Sequence, residues 1–358
     1  MTAHSHNTVS SRSVFVWYVA VATLIAALVL VGGITRLTGS GLSITRWDVV
    51  SGAIPPLTER AWNEAFDAYR ESPQYRLVNA HFELGEFKGI YWWEWAHRLL
   101  GRLLGLALFV PGVLLAIRGQ LSAWLRRRTL VVLTMVLLQG VLGWLMVASG
   151  LVDEPRVSHF RLAAHLSMAL ATYCVVLWTA LEAAGGRRSP LDSTIAPRVF
   201  SAMLAVQIVW GAFVAGLHAG GIHPTWPTIQ GQLYPAFAFE SGWLTSVLHH
   251  PTAVQFVHRT QGATLLIGSG LVAWRTHRLP AVGRLAFALI GLVVLQFVLG
   301  VATVLHFGQR PVLLGSLHQF AALILVSLVV VLVYRSGAGR GSAPSVRVHQ
   351  RASVGVSP

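Results

Sequence analysis

Residues 94–98 read Glu-Trp-Ala-His-Arg, and residues 255–259 read Gln-Phe-Val-His-Arg. Each stretch opens a long apolar run, and the resemblance continues downstream. Leu-Gln-Gly-Val-Leu-Gly at 138–143 faces Leu-Gln-Phe-Val-Leu-Gly at 295–300, and His165 answers His318. The offsets are 161, 157 and 153 residues, a slow drift that two short loop differences explain. The chain therefore reads as two tandem copies of one unit.

The solvent of these units is lipid. Of 358 residues, 54% are hydrophobic and 11% charged, which is far from a soluble domain. The net charge of +14 comes from 27 Lys and Arg against 13 Asp and Glu, but the bases fall in short runs between apolar segments. Membrane topology explains that arrangement, and a nucleic-acid partner is set aside. Cys174 is the single cysteine and lies inside an apolar run, so neither an intramolecular disulfide nor a cysteine-based metal site is expected. Histidine, with fifteen copies, is the coordinating side chain in supply.

A membrane span needs roughly 20 apolar residues. Segments 14–35, 95–117, 129–148, 162–181, 199–218, 254–274, 284–305 and 312–334 qualify, giving an all-α polytopic protein of eight spans. The first is too long for a signal-peptide core and is read as a retained helix. Residues 1–13, 118–128, 182–198, 275–283 and 335–358 carry the arginine runs, including Arg126 to Arg128, with Glu182 and Asp192 as their only acids. The positive-inside rule puts them, and both termini, in the cytoplasm. The linker 36–94 holds eight acids against six bases, and 219–253 holds only Glu240, so both face outward.

These assignments divide the chain into a cytoplasmic tail (1–13), an N-terminal four-helix half (14–181), a cytoplasmic linker (182–198), a C-terminal four-helix half (199–334) and a disordered Gly-, Ser- and Arg-rich tail (335–358). Each half has an even number of spans, so the copies share an orientation and a pseudo-twofold axis along the membrane normal. In the outer linker, Thr58 is a helix cap followed by Trp62, Ala65, Phe66 and Tyr69 at helical spacing, ending at Ser72-Pro73, which predicts an amphipathic cover. Residues 39–41, Gly-Ser-Gly, predict a tight turn. Pro111 predicts a kink near residue 107. Gly101 with Gly105 and Gly216 with Gly220 predict close helix contacts.

Spans two, four, six and eight run inward and carry His97, His165, His258 and His318 in their first few residues. At about 1.5 Å per residue, all four imidazoles fall in the outer third of the bilayer. Polar groups there are costly and usually functional. Two histidines on neighbouring helices can clamp a flat apolar ligand from both faces, which fits haem iron; zinc takes three or four ligands from donors that are scarce here. Arg98 and Arg259, directly after two of the histidines, are placed to pair haem propionates, with snorkelling as the simpler alternative.

The halves differ at one informative position. Glu94 stands one turn before His97, where the second copy has Gln255. A carboxylate can move protons or stabilise positive charge, so chemistry is assigned to Glu94, His97 and His165, and a permanent redox haem to His258 and His318. The alternative for Glu94 is an interfacial glutamate favoured by a helix dipole. His218, His223, His249, His250 and His306 are read as surface residues, some of which border haem edges.

Residues 32–43 (Gly-Gly-Ile-Thr-Arg-Leu-Thr-Gly-Ser-Gly-Leu-Ser), Trp47, Pro55-Pro56, Glu86-Phe-Lys88 and residues 94–102 (Glu-Trp-Ala-His-Arg-Leu-Leu-Gly-Arg), with His165, His258-Arg259 and His318, closely resemble the haem A synthase family of cytochrome oxidase assembly. The resemblance covers about residues 14–334. It implies oxidation of the C8 methyl of haem O to the formyl of haem A, through two hydroxylations and loss of water from a gem-diol. It also implies a bis-histidine b-type haem in the C-terminal half, haem O as substrate in the N-terminal half, and an essential carboxylate at Glu94. Some bacterial members have a cysteine pair in the outer loops; its absence here resembles the cysteine-free branch of many proteobacteria and mitochondria. The expected setting is the bacterial inner membrane. The expected partners are the lipid bilayer, a haem O synthase, a membrane electron acceptor and further copies of the chain. A dihaem electron carrier and a haem exporter are the competing functions.

Overall fold

The computed structural model describes residues 9–48, 51–152, 155–185, 195–279 and 282–337. Most of the inner linker and the expected disordered tail lie outside these residues. The described residues form helices α1 (Ser11–Leu37), α2 (Glu59–Arg70), α3 (Pro73–Leu77), α4 (Leu84–Ile117), α5 (Ala123–Ala148), α6 (His159–Ala183), α7 (Ile195–Gly216), α8 (Trp243–His249), α9 (Pro251–Thr276), α10 (Gly283–Leu305) and α11 (Pro311–Ser336), with no strand among them.

Seven helices (α1, α4, α5, α6, α7, α10 and α11) are long and apolar enough to cross a membrane, so the protein is a multi-pass membrane protein. Helix α9 has the length, at 26 residues, and coincides with the expected segment 254–274. Its first turns carry Gln255, His258, Arg259, Thr260, Gln261 and Thr264, which lower its apolar character below that of the other seven. The remaining helices match the expected spans to within a few residues, except that α4 begins eleven residues before residue 95. At about 1.5 Å per residue it is roughly 50 Å long, well beyond the ~30 Å hydrocarbon layer. Pro111 lies within it without ending it.

Within the N-terminal half, α1 packs on α4 and α6, and α5 joins those two; in the C-terminal half, α7 packs on α9 and α11, and α10 joins those two. The halves meet through α6 with α7 and through α11 with α1 and α6. Helices in lipid gain nothing from leaving water, so packing and interhelical hydrogen bonds hold them. Such bonds tie the halves together, among them Tyr173 Oη to Ser327 Oγ (2.8 Å), Tyr334 Oη donating to the Leu181 carbonyl (3.1 Å), Gln319 Nε2 donating to the Val29 carbonyl (2.6 Å) and His159 Nε2 to the Leu248 carbonyl (2.9 Å).

The amphipathic cover forms as expected. Thr58 Oγ1 accepts from the Ala61 amide at 3.2 Å, and Trp62, Phe66 and Tyr69 bury against Phe87, Ile90 and Tyr91 of α4. The turn at 39–41 also forms, with Gly39 at φ +68° and its carbonyl accepting from Gln74 Nε2 at 2.7 Å. One packing expectation fails. A Cβ on Gly216 would lie 2.5 Å from the Cβ of His159, as in a close helix crossing, but Gly101 and Gly105 have nothing within 4 Å among the described residues. They stand one and two turns along α4 from His97, on the same face, and border open space rather than another helix.

Phe87 is fully buried at the centre of the outer aromatic cluster. Phe87→Ala should therefore cost about 3–5 kcal/mol locally. Limited proteolysis would show this as faster cleavage between residues 44 and 83, with the long helices still protected.

Candidate functional site

The four histidines lie on alternate long helices, His97 on α4, His165 on α6, His258 on α9 and His318 on α11. His97 is close enough to His165, and His258 to His318, for each pair to interact electrostatically. The described residues hold no cluster of three or more His, Cys, Asp or Glu able to hold a metal ion.

Each ring is seated the same way. A Cβ built on Gly32 would lie 2.8 Å from Cε1 of His97, on Gly143 3.0 Å from that of His165, on Gly211 3.1 Å from that of His258, and on Gly300 3.1 Å from that of His318. The glycine is always on a neighbouring helix: α1 for α4, α5 for α6, α7 for α9, α10 for α11. Without a side chain at that position, the helix exposes the carbonyl one turn earlier. Leu28, Gln139, Gln207 and Gln296, each four residues before its glycine, present that carbonyl beside the ring. The rings of His97 and His258 do not close a bond through Nδ1. A side chain on any of these glycines would push the imidazole out of its place.

Three of the four carbonyl-bearing residues are glutamines whose amides add to the seat. Gln139 Nε2 lies 3.1 Å from Nδ1 of His165 and donates to its carbonyl at 3.0 Å; Gln296 Nε2 lies 3.2 Å from Nδ1 of His318; Gln207 Nε2 donates to the His258 carbonyl at 3.1 Å. At His97 the corresponding residue is Leu28. Sequence reading found Gln139, Gln296, Gly143 and Gly300 as repeat matches and Gly32 within the family motif, all without a role, and missed Gly211 and Gln207. The α1–α7 register of 179 residues, which aligns Gly32 with Gly211 and Gly39 with His218, would have found them. His218 takes the same left-handed backbone as Gly39, at φ +53°.

Glu94 is 3% exposed and fully engaged. Its Oε2 accepts from Ser43 Oγ and from the Ile44 amide, both at 2.8 Å, and its Oε1 accepts from Arg98 Nη2 at 2.6 Å. Arg98 also donates to the carbonyls of Arg46 (3.0 Å) and Ile44 (2.9 Å) and lies over the Trp47 ring. The turn at Gly39 therefore brings residues 43–46 down as a lid over Glu94 and Arg98. Beside it opens a cavity of about 600 Å³, bordered by Arg46, Tyr91, Arg98 and Arg102.

The same spot in the C-terminal half is built differently. Arg259 Nη2 donates to the His223 carbonyl at 2.9 Å, matching the Arg98 bond to Ile44, but its Nε and Nη1 are buried without an acceptor among the described residues. Gln255 gives only a long bond to the Gly220 carbonyl (3.4 Å) and leaves Oε1 unpaired. His223, bonded to Thr252 Oγ1 at 3.0 Å, is pushed below the usual histidine range by burial and then by the charges of Arg259 and His250. Of the five outer histidines, His223 thus lies near both Arg259 and His250, whereas His218, His249 and His306 are exposed.

What stands at this point is a multi-pass helical membrane protein with two half-buried histidine pairs on alternate helices. Residues 15–330 match the cytochrome oxidase assembly protein family, COX15-CtaA, and the chain belongs to it. It is 43% identical to the heme A synthase of Parvibaculum lavamentivorans over 89% of this chain and 93% of that one. It is 42% identical to the heme A synthase of Bradyrhizobium diazoefficiens, over 97% of this chain and 98% of the relative. The heme A synthase of a Caulobacter species is 42% identical, over 91% and 96%.

Arg98 and Ser43 should contribute unequally to the Glu94 site. Arg98→Ala strands a buried carboxylate and should cost about 3–5 kcal/mol. Ser43→Ala removes one hydrogen bond to a charged group, worth about 1.5–3 kcal/mol. Thermal melts of the purified variants should rank them in that order.

Proposed function

We propose that the chain is a haem A synthase, converting the C8 methyl of substrate haem O to the formyl of haem A for cytochrome oxidase biogenesis. The change from methyl to formyl removes four electrons, so the enzyme is an oxidoreductase and needs an electron acceptor. The observation that carries this reading is the fourfold repetition of a histidine seated against a glycine, in two pairs. Two opposed imidazoles with open space beside them suit a flat metalloporphyrin, and Gly101 and Gly105 leave such space along the His97 face.

The N-terminal pair, His97 and His165, would hold the substrate porphyrin, and the C-terminal pair, His258 and His318, a b-type haem. That haem supplies one-electron redox capacity when bound. The seats against Gly211 and Gly300 fix how His258 and His318 face each other, as second-shell contacts orient ligating histidines. Glu94 stands one turn before His97, where a carboxylate can stabilise positive charge or accept a proton released as the methyl is oxidised. Ser43, the Ile44 amide and Arg98 hold it in one orientation, so its position is set before substrate arrives.

In this reading α9 spans the membrane as the eighth helix, with its polar first turns covered by α7, α10 and the outer loops rather than lipid. The two four-helix halves are then related by a pseudo-twofold axis along the membrane normal. The arginine-rich linkers place both termini in the cytoplasm, with the histidine sites toward the outer face of a bacterial inner membrane. Haem O synthase is the expected supplier of substrate.

Co-expression with a haem O synthase should yield haem A in extracts, and Glu94→Gln should abolish it while the protein still binds haem. Wild-type protein that makes no haem A would return the assignment to an electron carrier or exporter. His258→Ala and His318→Ala should lose the b-type absorption in a reduced-minus-oxidised spectrum. Gly211→Val and Gly300→Val should lose it as well, by displacing the same rings.

A further inference from the structure

The two arginines that follow the first histidine of each half are used in opposite ways. Arg98 is 12% exposed and satisfied from within the chain, by the Glu94 carboxylate and two backbone carbonyls. Arg259 has one backbone bond, two buried nitrogens with no acceptor among the described residues, and His223 close by. Position 94 in one copy and 255 in the other decide the difference, because each stands four residues before its arginine and so on the same helix face. A glutamate there saturates the guanidinium. A glutamine leaves it open.

A buried guanidinium N–H without an acceptor is costly, and a carboxylate meets it with a strong, often bidentate, charge-assisted bond. A porphyrin carries such carboxylates in its propionates. Resting on the haem reading above, we infer that the Glu94–Arg98 pair makes the N-terminal porphyrin exchangeable, whereas Gln255 leaves Arg259 free to anchor the C-terminal haem by a propionate. The residue next to each histidine pair thus sorts substrate from resident cofactor. Glu94 acts here as a positioning residue through Arg98, in addition to any part in proton transfer. The expectation that both arginines pair propionates is thereby narrowed to Arg259.

The test is a reciprocal swap in the full-length protein purified in nanodiscs, with porphyrin release followed by capture in excess apomyoglobin. Gln255→Glu should release the b-type haem at least about tenfold faster than wild type, as expected for loss of one charge-assisted pair. Gln255→Leu, which lacks the glutamine but adds no charge, should release it much more slowly than the Glu variant. A merely structural amide would move both alike. In protein co-expressed with haem O synthase, Glu94→Gln should slow release from the N-terminal half by a similar factor and raise the tightly held porphyrin from about one toward two per chain. Arg259→Gln should release haem fast, and adding Gln255→Glu should change it no further.

Equal release from the Glu and Leu variants at position 255, or unslowed release from Glu94→Gln, overturns the inference while leaving the haem reading intact. Wild-type protein carrying no haem at all overturns both.

Discussion

An imidazole carried into an apolar helical interior needs a neighbour with no side chain opposite it. In this protein that requirement is met four times by the same device, a glycine on the adjacent helix with the carbonyl one turn earlier turned toward the ring. Gly33 uses it a fifth time, since a Cβ there would collide with Gln319, whose amide reaches the Val29 carbonyl four residues before. The helix pairing follows from this constraint. Helices α1, α5, α7 and α10 supply the bare faces, and α4, α6, α9 and α11 supply the histidines.

Symmetric seats do not make equivalent sites. The Arg98–Ile44 and Arg259–His223 bonds occupy the same register, so the outer loops close over the two halves in the same way. What differs is the charge one turn before each histidine, and a single carboxylate redirects an arginine, draws in Ser43 and the Ile44 amide, and changes what the site can offer a ligand. Partial burial makes the exchange consequential, since Nε and Nη1 of Arg259 are shielded from water where they stand.

Much of this was legible in the sequence. Apolar length located the helices, the drift in repeat offset located the histidine pairs, and the Glu94/Gln255 difference stood out once the copies were superposed. The cap at Thr58 and the Trp62–Phe66–Tyr69 face gave the outer cover. Other features were not legible, for physical reasons. The first helices of the two copies share no polar landmark, since Gln207 of one faces Leu28 of the other, so the 179-residue register that aligns Gly32 with Gly211 was invisible. The glycines were visible as letters, but a glycine's role depends on what faces it across the helix contact. Gly101 and Gly105 carry the spacing of a packing motif yet face open space. Arg98 and Glu94 have ion-pair spacing, but the backbone acceptors at Ile44 and Arg46 depend on how the loop folds back.

The account rests on two separate imidazole pairs, each proposed to hold one porphyrin. The most direct measurement is an experimental structure of the protein purified with its haem and supplied with haem O, with iron located by anomalous scattering at its absorption edge. The account predicts one iron between His258 and His318 and a second between His97 and His165. Iron bound instead by an outer histidine such as His223 or His250, or a single iron shared between the halves, would contradict it.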